Sequence, residues 1–261
     1  MAFNKKVVVQ FTVLTFAITL VAATGMFVFA HFGIPVVFTD PRVALLFALY
    51  ALAPAIASYV VLKKHGKISG FKEWIKNVFY AKTSIFNYLF IVLGLALYFI
   101  AHIAVAGLTE SQPFYMFFVM IPIMLFGGGM EEAGWRYILQ TELDKKYGFI
   151  PAVIITAIIW YVWHLPLFFM PGTDQAETLH FGMYLVTIFG LTTLFGAIVK
   201  IAGKAAVFLS VLLHTMFNVT FNAVSFPQTW TGTITAFAVL IIISAIAMYS
   251  HSRKARKDDT L

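Results

Sequence analysis

Gly127-Gly128-Gly129-Met130-Glu131-Glu132-Ala133-Gly134-Trp135-Arg136 sets two adjacent carboxylates and a guanidinium inside a sequence that otherwise avoids charge. Upstream, residues 116–126 read MFFVMIPIMLF; downstream come Tyr137, Ile138 and Leu139. On a soluble surface a Glu-Glu pair carries no message. At membrane depth an ionisable group costs roughly 2.5–3.5 kcal/mol to insert, so it marks function by default. The reading therefore turns on whether this stretch lies in a membrane and on what meets it there.

Composition answers the first point. Of 261 residues, 61% are hydrophobic and only 11% charged, with mean hydropathy +0.89, against about 25% charged in globular domains. The chain reads as an all-α integral membrane protein, a single polytopic domain over residues 1–261. The net charge of +7 belongs to loops that fix orientation, so no nucleic-acid partner is expected. The absence of cysteine excludes disulfides, thiolate catalysis and Cys-ligated metals.

A spanning helix needs about 20 apolar residues. Such runs occupy 7–30, 43–62, 84–106, a fourth from 113 into the glutamates, 150–169, 181–199, 205–224 and 233–249. Lys5 and Lys6 before the first run resemble a signal peptide, but an h-region is only about 7–15 residues long, so the run reads as a retained span. With the N-terminus inside, all 18 basic residues except Arg42 fall on the inner side, while Asp40, Glu110, Asp174 and Glu177 fall outside. That asymmetry fixes eight transmembrane helices in one bundle, both termini cytoplasmic. Between the second and third spans, Phe71, Trp74, Ile75, Val78 and Phe79 recur at helical spacing opposite Lys72 and Lys76, which predicts a short interfacial helix on the inner leaflet. The tail 251–261 is charged and expected to fray.

Three spans carry polar groups at depth. Glu132 and Arg136, four apart, are helical neighbours and form a natural ion pair. Glu131 lies about 100° away around the helix, without a helical partner and one turn from Trp135. The three glycines before it permit a kink or close approach. In the fifth span, His164 stands one turn from Trp160. In the seventh, Ser210, His214, Asn218 and Asn222 recur every four residues. Glu131 precedes Lys145 by about 21 Å of helix, His164 follows Ile150 by about 21 Å, and His214 follows Lys204 by about 15 Å. If the fourth helix continues unbroken past Arg136 to Lys145, all three meet near the middle of the bilayer. The bland alternatives differ by residue. His31, His102 and His180 suit backbone bonds or solvent, Asn222 suits interhelical glue, and the tryptophans suit core or interface.

Glu-Glu-x-x-x-Arg (Glu131, Glu132, Arg136), aromatic-x-x-x-His (Trp160 to His164) and His-x-x-x-Asn (His214 to Asn218), in this order, resemble the CPBP family. That family groups CAAX prenyl proteases with bacteriocin-processing and Abi-type membrane proteins. The likeness runs from roughly 116 to 222, within a core of 113–224. Two positions depart from the common pattern: Tyr137 stands where many members have Gly, and Trp160 where Phe is common. Both are expected to bear on pocket shape more than on chemistry.

The resemblance implies a glutamic intramembrane endopeptidase, and the residues suit one. A carboxylate in a low-dielectric cavity is a better base near neutral pH, which makes Glu131 the base for water. His164 would orient that water or relay its proton. His214 and Asn218 would stabilise the oxyanion, and Glu132 with Arg136 would position Glu131. No Asp lies in any span to complete a Ser210–His214 triad. No cofactor is expected; zinc at Glu131, His164 and His214 is the rival reading, although HExxH is absent. Two other functions remain open: a catalytically idle scaffold or immunity protein, and an ion- or proton-coupled transporter. The expected partners are the lipid bilayer and a membrane-associated peptide or lipidated protein. Small size and compact loops fit a bacterial cell membrane, with the site opening toward lipid and cytosol.

Overall fold

The computed structural model describes residues 3–37, 40–109 and 111–258. Among them it is all-helical, with eight helices long and apolar enough to cross a membrane. The spans are α1 (Lys5–His31), α2 (Pro41–Lys64) and α4 (Ile85–Ala106). The fourth starts as α5 (Phe114–Phe126) and ends as α6 (Thr141–Tyr147). Then follow α7 (Phe149–His164), α8 (Phe181–Ile201), α9 (Ala206–Ala223) and α10 (Trp230–Asp258). The ends follow local chemistry. Asn4, Asp40 and Ser84 cap α1, α2 and α4 through side-chain oxygens, the preferred solution for orphan amides. Gly148, at φ 79°, makes the single-residue corner between α6 and α7.

The expected interfacial helix is α3 (Phe71–Val78). Of the apolar face, Trp74 and Val78 are buried, while Phe71 and Phe79 remain exposed. Trp74 Nε1 donates to Ser58 Oγ of α2 at 3.0 Å, and Asn77 Nδ2 donates to the Tyr137 hydroxyl at 3.0 Å. The tail differs from expectation: α10 remains helical to Asp258 because nothing in the sequence stops it. Glu110 and residues 259–261 lie outside the described residues.

The fourth span is not one unbroken α-helix. After α5 the chain turns at Gly127 and Gly128, then winds as a 3₁₀ turn (Gly129–Glu131) and a single α turn (Glu132–Gly134). A π turn (Trp135–Gln140) leads into α6. The path stays helical past Arg136 to Lys145, as expected, but its winding changes. The Thr141 hydroxyl caps the Arg136 carbonyl at 2.5 Å, five residues back, which suits the wide π turn. Small residues let this irregular stretch sit deep. A Cβ on Gly134 would stand 2.6 Å from the Pro54 carbonyl oxygen of α2 and 2.8 Å from the Phe11 ring of α1. A Cβ on Gly129 would collide with the Thr215 hydroxyl of α9. The two glutamates are thereby threaded between α1, α2 and α9.

Candidate active site

Glu132 lies at the centre of a buried polar network. Its Oε2 accepts from Arg136 Nε at 2.6 Å, and its Oε1 faces His214 Nδ1 at 2.8 Å. Arg136 Nη1 donates to Gln140 Oε1 at 2.7 Å. The guanidinium carbon lies 4.4 Å from the Phe195 ring centre and 4.9 Å from that of Trp160, as cation–π contacts do. Glu132 and Arg136 are fully buried. The Glu132–Arg136 pair fits the spacing argument. The His214 contact joins residues 82 apart in sequence and had no signal in any spacing.

Glu131 has a different environment. Its Oε2 accepts from Trp160 Nε1 at 2.8 Å and from Trp135 Nε1 at 3.3 Å. Its Oε1 has no hydrogen-bond partner among the described residues, and the side chain lines a cavity of about 450 Å³. Sequence reasoning placed the tryptophans in the core or at the interface. Both are buried, yet their indole N–H groups hold the carboxylate. The signal was present, since Trp135 is four residues after Glu131. Trp160 therefore bears on the chemistry and not only on pocket shape. Tyr137, the other departure, does not line the cavity and faces α3.

The same cavity is lined by His164, His214 and Asn218. His164 Nδ1 donates to the Trp160 carbonyl at 2.9 Å, which leaves Nε2 without that tie. A Cβ on Gly128 would lie 3.2 Å from His214 Nε2 and would collide with Asn218 Nδ2, so the two donors converge on the glycine turn. Four of the six expected residues thus line one cavity. Glu132 and Arg136 sit behind it.

Ser210 Oγ donates to the Ala206 carbonyl at 2.8 Å, in keeping with its exclusion from a triad. Several expectations are corrected. Asn222 Nδ2 donates to the Asn218 carbonyl of its own helix at 2.8 Å; it lines the cavity, and among the described residues it makes no hydrogen bond to a second helix. His102 is fully buried against Tyr98 and Phe226, with neither ring nitrogen hydrogen-bonded among the described residues. The cavity does not extend toward the basic loops, the side on which an opening was expected. Its outer lining comes from Val36, Gly172, Asp174, His180 and Gln228, in loops on the face opposite the basic ones. Toward the basic loops, Trp135, Arg136, Gln140 and Phe195 are buried.

Among the described residues, no group of three His, Asp or Glu side chains is arranged to hold a metal ion. His164 and His214 each already commit Nδ1, to a carbonyl and to Glu132.

Residues 111–220 match the family model for type II CAAX prenyl endopeptidase, Rce1-like. Over 131 residues the chain is 25% identical to a CAAX prenyl protease 2 of Methanococcus maripaludis. The match covers 49% of this chain and 48% of the relative, so it spans about half the length of each. Glu131, Glu132, Arg136, His164, His214 and Asn218 all fall inside the matched residues 111–220, so the similarity to that family covers every candidate site residue.

Proposed function

We propose that this protein is an intramembrane endopeptidase that uses a glutamate to activate water. The observation that carries the reading is the pairing of Glu131 with His214 and Asn218 across one buried cavity. Two indole N–H groups fix one oxygen of Glu131; the other is free to take a proton from water. The water oxygen bonds to the scissile carbonyl carbon, and its proton passes to Glu131. The Asn218 amide donates to the oxyanion. His214 donates from Nε2 as an imidazolium, a form supported by the Glu132 carboxylate at Nδ1. Collapse of the intermediate breaks the C–N bond, and the proton held by Glu131 passes to the leaving nitrogen, with His164 positioned to orient the water or relay the proton. Glu132 and Arg136 are positioning residues.

The zinc reading requires Glu131, His164 and His214 to converge as ligands. Chelator sensitivity separates it from the metal-free reading, and no step is derived through a metal. The substrate would be a membrane-associated peptide or lipidated protein, cut by a protein with both termini in the cytoplasm. The test is incubation of the purified protein with apolar and lipidated peptides, read by mass spectrometry. Cleavage that survives a chelator and falls about 10²–10³-fold in Asn218→Ala is expected, the usual loss for one oxyanion donor. Chelator-sensitive cleavage restored by zinc would replace the mechanism.

A further inference from the structure

The helix α3 presents a surface that the cavity does not use. Successive residues stand about 100° apart around a helix. Trp74 and Val78 therefore share one side, Glu73 and Asn77 a second, and Phe71, Ile75, Lys72 and Lys76 a third, with Phe79 just past the end. The first two sides are held by the bundle. Trp74 Nε1 donates to Ser58 of α2, and Asn77 Nδ2 to Tyr137 of the fourth span. The Phe79 ring meets Phe208 of α9 at 6.4 Å between centroids. Three spans thus fix α3, and its third side is turned outward. There Phe71 is 58% and Phe79 37% exposed, beside exposed Lys72 and Lys76. Bare aromatic rings next to ammonium groups, between the end of α2 and the start of α4, suit the depth where lipid phosphates meet acyl chains.

The charge there is one-sided. Residues 63–82 hold six lysines and one acid, Glu73. Glu73 Oε2 is occupied by Ser69, whose amide donates at 2.7 Å and whose hydroxyl donates at 2.6 Å. Lys63 Nζ donates to the Ser69 carbonyl. Lys64, Lys67, Lys72, Lys76 and Lys82 are exposed and form no ion pair among the described residues. The acids of another basic loop, Glu142 and Asp144, are already paired with Lys145 and Lys200. Like charges so gathered repel one another and gain from a shared counter-anion. Clusters of about four to eight basic residues on an amphipathic helix beside a span attract anionic lipids. A soluble anion would use the lysines and leave Phe71 and Phe79 in water, whereas a lipid uses both.

We propose that α3 and the lysines around it bind an anionic phospholipid, its phosphate among Lys67, Lys72 and Lys76 and its acyl region against Phe71 and Phe79.

The purified protein would be titrated in neutral detergent with phosphatidylglycerol, or with phosphatidylcholine of the same acyl chains, and retained lipid counted by native mass spectrometry. One variant carries Lys67→Ala, Lys72→Ala and Lys76→Ala. A control of equal charge carries Lys5→Ala, Lys6→Ala and Lys204→Ala, exposed lysines of other basic segments. Equal thermal midpoints without added lipid control for folding. Wild type should retain phosphatidylglycerol in preference to phosphatidylcholine. The α3 variant should need on the order of tenfold more phosphatidylglycerol for the same occupancy, and the control variant should match wild type. Equal losses in the two variants would reduce the effect to overall charge and overturn the site. No loss in the α3 variant, or equal retention of phosphatidylcholine, would overturn it as well. So would displacement of the lipid by soluble glycerol phosphate at an equal concentration, which would assign the lysines to a free anion. No cleavage enters the readout, so it stands apart from the proteolytic reading.

Discussion

At the scale of single residues, the two adjacent glutamates are different tools. Glu132 has both oxygens committed, to Arg136 and His214, in a fully buried network. Glu131 keeps one oxygen toward the cavity. Glu132→Gln leaves the buried guanidinium without its counter-charge, and breaking such a pair typically costs about 3–5 kcal/mol. The expected outcome is a clear fall in thermal midpoint in detergent together with lost activity. Glu131→Gln keeps an acceptor oxygen for the two buried indole N–H groups and should leave the midpoint nearly unchanged. Of this chemistry, the Glu132–Arg136 pair was legible because helical neighbours follow a spacing rule. The indole donors to Glu131 were half legible: Trp135 was placed one turn away, but a tryptophan in a membrane helix is usually read as bulk. The His214–Glu132 bond was invisible, since only the packing of α9 against the glutamate turn brings the two together.

At the scale of elements, the fourth span decides the site. Three consecutive glycines signalled a kink, and the chain does turn at Gly127 and Gly128. The π winding over Trp135–Gln140 was not legible. It depends on contacts with α1, α2 and α9, none of which leaves a mark on local periodicity. Gly134→Ala places a methyl against the Pro54 backbone and the Phe11 ring and should cost about 1–3 kcal/mol, as overpacking does; the readout is the thermal midpoint. At the outer end of α2, Arg42 holds the Asp40 carboxyl down from 3.8 to about 2, through its side chain and backbone N–H. A depressed carboxyl stabilises the fold above its ordinary value and loses that contribution as pH falls toward 2. The midpoint difference between wild type and Asp40→Asn should therefore be largest above pH 3.8 and close toward pH 2.

At the scale of the whole molecule, the span count and the interfacial helix followed from hydropathy and charge. Lipid enforces helices, and loop charge supports their number. The direction of the cavity did not follow. The expectation of an inner opening rested on the glutamate helix ending on that side. The glycine turn instead places them where α5 stops, with Arg136, Gln140 and Trp135 buried toward the basic loops. The proposed reaction class rests on Glu131 acting as the base. The most direct measurement is the cleavage rate of an apolar, internally quenched peptide by wild type and Glu131→Gln in the same detergent, with equal thermal midpoints as the control for folding. The expected result is a loss of about 10²-fold or more in kcat. Cleavage by Glu131→Gln at the wild-type rate would contradict the role of this residue and the mechanism built on it.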